Sequence, residues 1–348
     1  MKLKKVSCIL LSCALIMPTL KVDAKQVVTG GEPYVNVVTT GNTITRTMDL
    51  TSLNLYTSDD TDSYNDNVST SVYDIATSEN ILRQVGYTDV ELNAMGDEEI
   101  IDSLESAKNI TTTEVYIKVD ELGNSIEVTK EECMKAVEDQ YTDSYNSDTM
   151  VSAFSNDAEN EQTDGYMRIR TVSTYISNGK YRFSGLFTWL TMPTNRWVDV
   201  FSVAAPNCAW GSNTNDLTSN LSYSIYNTKT GTTTDSKVTG SVKVKSTGIY
   251  SKYDLPDNEL IHPSYGGDSP GMKSVTSMVG YIRGVATVST YQTSQIFNVF
   301  TQYVHLHKNF GLNPEASFSW DGVGFSVSPS ITEDTRIYNS FNETSYTP

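Results

Sequence analysis

Tyr166-Met167-Arg168-Ile169-Arg170-Thr171-Val172-Ser173-Thr174-Tyr175-Ile176-Ser177-Asn178-Gly179-Lys180-Tyr181-Arg182-Phe183-Ser184-Gly185-Leu186-Phe187-Thr188-Trp189-Leu190 is the stretch that decides the fold. Its first eleven residues are rich in β-branched and aromatic side chains, which suit a pleated strand. Asn178-Gly179 follows, the strongest short hairpin signal in the chain, because the tight turn needs residues tolerant of positive φ. Residues 181–190 then run back. Further strands are expected at 221–226, 242–250, 281–291, 296–308, 316–320 and 322–328. Six or more strands joined by Gly, Pro and Asn-rich turns predict an antiparallel, sandwich-like domain. Tyr166-Met167-Arg168 leading to Tyr175 resembles Tyr281-Ile282-Arg283 leading to Tyr291. Two β modules and shared strand composition both account for that likeness.

Upstream of Gly165 the periodicity is helical. Ser78 reads as the cap of a helix carrying Ile81, Leu82 and Val85 that stops at Gly86. Thr88 with Glu91 three residues on forms a capping box, and Asp97 caps a third helix with Ile100, Ile101 and Leu104. Helices this short do not stand alone and must pack on something. A hairpin over 113–128 and a helix opening at Thr129-Lys130-Glu131-Glu132 follow. The sequence therefore predicts an α+β multidomain chain, in which a small, acidic, mainly helical N-terminal module precedes an antiparallel all-β C-terminal domain. The expected segments are a signal peptide (1–24), a Ser/Thr/Asp-rich extended stretch (25–77), a helical module with a β-hairpin (78–141), an acidic linker (142–164) and the β domain (165–345).

Met-Lys-Leu-Lys-Lys, an apolar run from Val6 to Leu20 and Val22-Asp23-Ala24 make a secretory-signal pattern. The run is shorter than the roughly 20 residues of a membrane span, so cleavage after Ala24 is expected to leave a secreted, extracellular chain without a transmembrane segment. Cys13, after Leu10-Leu11-Ser12, faintly matches a lipoprotein cleavage box. From Lys25 to Asp164 the chain holds 29 acidic and 7 basic residues, a net of −22; from Gly165 onward it holds 12 and 14, a net of +2. No basic stripe is visible, and a polyanion needs clustered Lys and Arg, so nucleic acid is not an expected partner. The acidic half reads as a solubilising surface.

Candidate chemistry is sparse. Gly267-Asp268-Ser269-Pro270-Gly271 matches a hydrolase elbow in letters, but Pro270 has no N–H to lend an oxyanion hole. His305 and His307, two apart in a strand, share one face and suit metal ligation; the alternative is the end of a half-buried strand. The acidic run from Asp59 to Asp66 lacks the order of a calcium loop. Cys133 and Cys208 are either a disulfide or two buried thiols. Trp189, Arg196, Trp197 and Asp199 form the most distinctive corner: its rings suit stacking on a sugar or polymer, or fill the core while Arg196 pairs with Asp199. No cofactor is expected.

The Gly86-Tyr87-Thr88 helical unit and the Trp189-Leu190…Pro193…Arg196…Asp199 corner resemble exported proteins of Gram-positive bacteria that carry no assigned activity. The resemblance implies an extracellular setting and supplies no catalytic residue. The expected function is a non-catalytic extracellular binding protein with a cell-surface polymer or protein as partner. The alternatives are a membrane-active, pore-forming β protein inserting residues 219–250, or an extracellular hydrolase.

Overall fold

The computed structural model describes residues 34–51, 74–119, 125–146, 165–193, 196, 198–206, 208–262, 270–288, 295–306, 316–320, 325–329 and 335–346. The expected signal, the Asp59–Asp66 run, Gly267 to Ser269, Trp197 and His307 lie outside them. In chain order the elements are β1 (Val35–Thr40), β2 (Thr43–Asp49), α1 (Ile75–Gln84), α2 (Asp89–Met95), α3 (Asp97–Leu104), β3 (Asn109–Val119), β4 (Ser125–Val128), α4 (Lys130–Asn146), β5 (Gly165–Ser177), β6 (Lys180–Trp189), β7 (Val198–Ala204) and β8 (Cys208–Trp210). They continue with β9 (Thr218–Asn227), β10 (Thr232–Thr239), β11 (Lys243–Lys245), β12 (Gly248–Asp254), β13 (Glu259–Ile261), β14 (Gly271–Val288), β15 (Gln295–Leu306), β16 (Ala316–Trp320), β17 (Phe325–Pro329) and β18 (Thr335–Tyr346).

β5 and β6 pair around Asn178-Gly179, both at positive φ. From this hairpin an eleven-stranded antiparallel sheet extends in the order β1-β2-β3-β5-β6-β14-β9-β10, with β4 beside β3 and with β8 and β13 beside β14. β5 and β14, whose sequences resemble each other, flank β6 on its two sides. A second sheet, β11-β12-β7-β15-β18, covers one face, and β16 and β17 form a separate two-stranded sheet.

The expected α+β division is corrected here. Among the described residues 59 % are strand and 19 % helical, and the chain is mostly antiparallel β. No helical module stands as a separate body, because the large sheet runs straight across residue 165: β3 pairs along its whole length with β5. The reason is that α1, α2 and α3, at ten, seven and eight residues, are too short to bury an apolar stripe against one another alone. They lie instead on the sheet. α1 is capped by Asp74, whose carboxylate accepts from Thr77 N (2.7 Å), while the expected cap Ser78 is inside the helix and buried. α3 opens at Gly96 rather than Asp97, and α4 extends into the expected linker as far as Asn146.

Strand alternation divides the large sheet into two faces. Met167, Ile169, Phe183, Phe187, Trp189, Met278 and Ile282 meet Phe201, Val203, Ile249, Val299 and Tyr303 of the second sheet in the main core. Ile110, Val172, Leu186 and Tyr281 point the other way, to Leu82, Val85, Leu92, Met95, Ile100 and Leu104 of the helices. A smaller cluster joins Cys133 of α4 to Tyr116, Val128 and Tyr166.

The two sheets approach closely where β6 and β14 carry glycine. A Cβ on Gly185 would come within 2.7 Å of Thr301 Cγ2, and one on Gly280 would enter the Phe201 ring. That ring stacks on Phe187 at 4.7 Å between centroids, so it has no empty space to retreat into. Gly280→Val is expected to destabilise by about 1–3 kcal/mol or more through overpacking, read as a lower urea midpoint at unchanged slope.

Candidate functional site

The densest set of chemistry-bearing side chains lies between the helices and the large sheet. β5 places Arg168 and Arg170 two residues apart on one face, opposite in parity to the core residues Met167 and Ile169. β3 brings Glu114 alongside, in register with Arg170, and β2 brings Arg46, in register with Thr112. From above, α2 delivers Glu91, the third residue of a helix capped by Thr88. Glu91 accepts from the backbone N–H of Thr88 at 2.9 Å, as a capping box requires.

The same carboxylate also reaches the sheet. Its Oε1 lies 3.0 Å from Arg168 Nη2, and its Oε2 lies 3.3 Å from Arg170 Nη2. Thr188 Oγ1 donates to it at 3.3 Å. Arg170 Nη2 is 2.9 Å from Glu114 Oε2, and Glu114 Oε1 is 3.0 Å from Arg46 Nη1. Arg170 and Glu91 are both fully buried. The Arg170 guanidinium lies over the Tyr87 ring at 5.2 Å and donates to Gly86 O at 2.6 Å. Gly86 takes φ +100°, and a Cβ there would meet Arg46 Nη1 at 2.6 Å and Arg170 Nη1 at 2.9 Å. This position thus requires glycine for both its backbone and its cationic neighbours.

Each short helix ends on donors from the sheet. The α1 end gives Val85 O to Thr112 Oγ1 (2.6 Å) as well as Gly86 O to Arg170. At the end of α2, Ala94 O accepts from Ser222 Oγ (3.1 Å) and Met95 O from Lys237 Nζ (2.5 Å). At the end of α3, Ser103 O and Glu105 O accept from Arg182 Nη1 at 3.2 and 3.3 Å. Arg283 reaches Asp102 at 3.1 Å. Orphan carbonyls at a helix C-terminus carry partial negative charge, so cations and hydroxyls are the groups that satisfy them.

Protonation follows from these contacts. Burial pushes the Glu91 carboxyl up, and the charges of Arg168 and Arg170 more than reverse this, holding it at about 2. Burial works against the Arg170 cation, but Glu91 and Glu114 raise its pKa beyond the ordinary arginine value. Glu91 therefore stays ionised at neutral pH with its lone pairs occupied, a poor general base. Cys133 and Cys208 are free and buried, one on the inner side of α4 and the other in the main core. Burial pushes both thiols up to about 12, which denies them nucleophilic character near neutrality.

The residues singled out from sequence are dispersed. Trp189 is 5 % exposed and packs in the main core. Its indole N–H donates to Tyr303 Oη at 3.2 Å, and it does not present a face for a sugar. Tyr303 Oη in turn donates to Asp199, which is fully buried. Arg196 is engaged elsewhere, with Asn258 Oδ1 at 2.8 Å, Pro193 O at 3.1 Å and Pro256 O at 3.3 Å. The expected Arg196–Asp199 pairing is replaced because β7 turns Asp199 inward with Phe201 and Val203. His305 is in β15, in register with Arg336. Among the described residues no three His, Cys, Asp or Glu gather as metal ligands. The ionic network was missed from sequence, although arginines two apart in a strand of apolar alternate residues signal a buried face needing acid partners.

Removing one partner of a buried pair leaves the other charge exposed to an apolar interior. Glu91→Gln is expected to cost about 3–5 kcal/mol in chemical unfolding. Acid has a related effect. The folded pKa of Glu91 lies below its ordinary value of 4.5, so its contribution is complete above about pH 4.5 and is lost as pH falls toward 2. About 3 kcal/mol of stability is expected to disappear across that window in a urea–pH series, and less in Glu91→Gln.

No family model and no curated protein matches the chain. Among solved structures it shows a likeness to AvmM, which catalyzes macrocyclization in alchivemycin A biosynthesis, at 12 % identity over 49 % of this chain and 82 % of that one, with a TM-score of 0.20. A pore forming protein matches at 8 % identity over 53 % and 87 %, TM-score 0.16. Clostridium perfringens delta-toxin matches at 10 % identity over 68 % and 82 %, TM-score 0.16.

Proposed function

We propose that this chain is an exported, non-catalytic protein of the Gram-positive kind that works by binding a cell-surface polymer or protein outside the cell. The observation that supports this reading most is the commitment of its buried ionisable groups. Glu91, Glu114, Arg168 and Arg170 fasten helices to the sheet, and their neighbours tune Glu91 and Arg170 away from proton transfer near neutrality. The basic start, apolar run and Val22-Asp23-Ala24 supply the export half of the reading. No helix among the described residues is long and apolar enough to cross a membrane.

N-terminal sequencing of the protein recovered from culture medium is expected to begin at Lys25. The same material is expected to be retained on immobilised cell-wall glycans or host-matrix polymers. Recovery of the intact product with Met1 from the cytosol, or its free passage over all these supports, overturns the reading.

A further inference from the structure

The two larger sheets have four end strands: β1 and β10 on the eleven-stranded sheet, β11 and β18 on the five-stranded one. An end strand offers unpaired N–H and C=O groups to any other strand, and charge is a common guard against such pairing. Three of the four are guarded. β10 contains Asp235 and Lys237, β11 contains Lys243 and Lys245, and β18 contains Arg336 and Glu343. β1 reads Val35-Asn36-Val37-Val38-Thr39-Thr40, with neither charge nor proline. It pairs residue for residue with β2, so no bulge twists it away from an incoming strand. Among the described residues it has no second partner strand. Val37 is 47 % exposed, and Tyr34, just before the strand, is 53 % exposed.

The turn after β1 fixes which of its backbone groups are free. Gly41, at φ +59°, and Asn42 form a two-residue loop between Thr40 and Thr43. A loop of that length makes its flanking residues a hydrogen-bonded pair, and such pairs recur at every second position of an antiparallel ladder. Asn36, Val38 and Thr40 therefore bond to Thr47, Thr45 and Thr43 of β2. Val35, Val37 and Thr39 direct their N–H and C=O groups to the open edge. These three are symmetric about Val37. A second β1 running antiparallel, with Val37 opposite its own counterpart, sets Val35 opposite the partner's Thr39 and Thr39 opposite the partner's Val35. Every free group is then bonded. Asn36 stands opposite the partner's Val38, so no charge is opposed anywhere along the seam.

We propose that β1 is a self-docking edge, through which two copies of the chain join their large sheets around a two-fold axis at Val37. The occupant is a second copy because β1 itself supplies what the edge demands, an uncharged β-branched strand whose outward groups match in reverse. Pairing consumes the unguarded edge of both copies, and the opposite end of the sheet carries charge, so the assembly closes at two. One six-residue strand per copy is a small contact beside the roughly 1,200 Å² of a stable dimer, so the dimer population follows concentration. The inference goes beyond the polymer-binding reading and depends neither on it nor on export.

Sedimentation velocity on the purified full chain, from nanomolar to high micromolar concentration, is expected to show the mass rising from one copy toward two and no further. Val37→Pro removes an outward N–H that β2 does not use, so the edge tolerates it, and thermal melting by circular dichroism is expected to stay close to wild type. The same change is expected to raise the dimer dissociation constant at least about tenfold. Val37→Lys, which opposes two cations at the axis, acts likewise, whereas Val238→Lys on β10 leaves the constant unchanged. Register is read by mild oxidation of Asn36→Cys chains mixed with Val38→Cys chains. The mixture is expected to cross-link far more than either variant alone, with the 36–38 link located by peptide mapping, because those positions are opposed at about 4.5 Å between Cα atoms. A wild type that stays monomeric throughout, whether or not a foreign strand binds at β1, overturns the proposal. So does a dimer that both Val37 variants leave intact, or cross-linking no greater in the mixture. Failure of a chain that dimerises in this way to bind wall polymers sinks the earlier reading alone.

Discussion

Glu91 joins a helix N-terminus to two arginines of a strand, and the placement of the whole helical layer depends on that junction. A carboxylate at the third position of a seven-residue helix would ordinarily satisfy only its own cap. Here it accepts from Thr88 and also meets Arg168 and Arg170 directly, at 3.0 and 3.3 Å. Burying ions is costly, and a pair of this kind adds little net stability over well-packed apolar residues. What it contributes is position. Arg170 holds Glu91 from above, Glu114 from the side and Gly86 O from the end of α1, so α1 and α2 have one seat on β5. Arg182 performs the same service for α3. Apolar contacts alone would let three short helices slide across the sheet; directional bonds to their carbonyl ends do not.

This arrangement explains why the sequence reads well locally and poorly at longer range. Asn178-Gly179, the Thr88–Glu91 box, the stop at Gly86 and the alternating runs of 166–190 each arise from interactions within a few residues, and each is legible for that reason. The partition of the chain into a helical module and a β domain was not. It took the helical periodicity of 78–108 as a unit, whereas those helices bury their stripes against Ile110, Val172, Leu186 and Tyr281, up to about two hundred residues away in sequence. The pairing of β3 with β5 across the 147–164 stretch is equally non-local. β2 was invisible because Thr43-Ile44-Thr45-Arg46-Thr47-Met48-Asp49 lies in a Ser/Thr-rich background whose composition resembles a linker.

The candidate site shows the same limit from the side of chemistry. Trp189, Arg196 and Asp199 are neighbours in sequence, and a turn would naturally bring them together. Strand parity separates them: Asp199 shares the inward face of β7 with Phe201 and Val203, while Arg196, before the strand begins, bonds to Asn258 and to carbonyls of two prolines. Arg168 and Arg170, in contrast, are two apart in a strand and remain together, because a spacing of two preserves the face. Their acidic partner is 79 residues from Arg170, and nothing in spacing could name it. A signal was present all the same. Two arginines on one parity of a strand whose other parity is Met167 and Ile169 leave no face for water, so the sequence demanded buried carboxylates somewhere.

The same reasoning about parity separates the two Ser/Thr-rich hairpins. β9 alternates Leu221, Tyr223 and Ile225 with serines, much as β16 alternates Phe318 and Trp320 with serines, but its partner β10 carries Asp235 and Lys237. Leu221 is packed into the main core, with Tyr223 against it, and β9 shares a ladder with the long β14. The apolar parity of β9 already has its partner inside the protein, while Ser222 donates to Ala94 O of α2 and Ser224 to Asp235 of β10. Among the described residues β16 and β17 pair only with each other, and β17 lies beside β15.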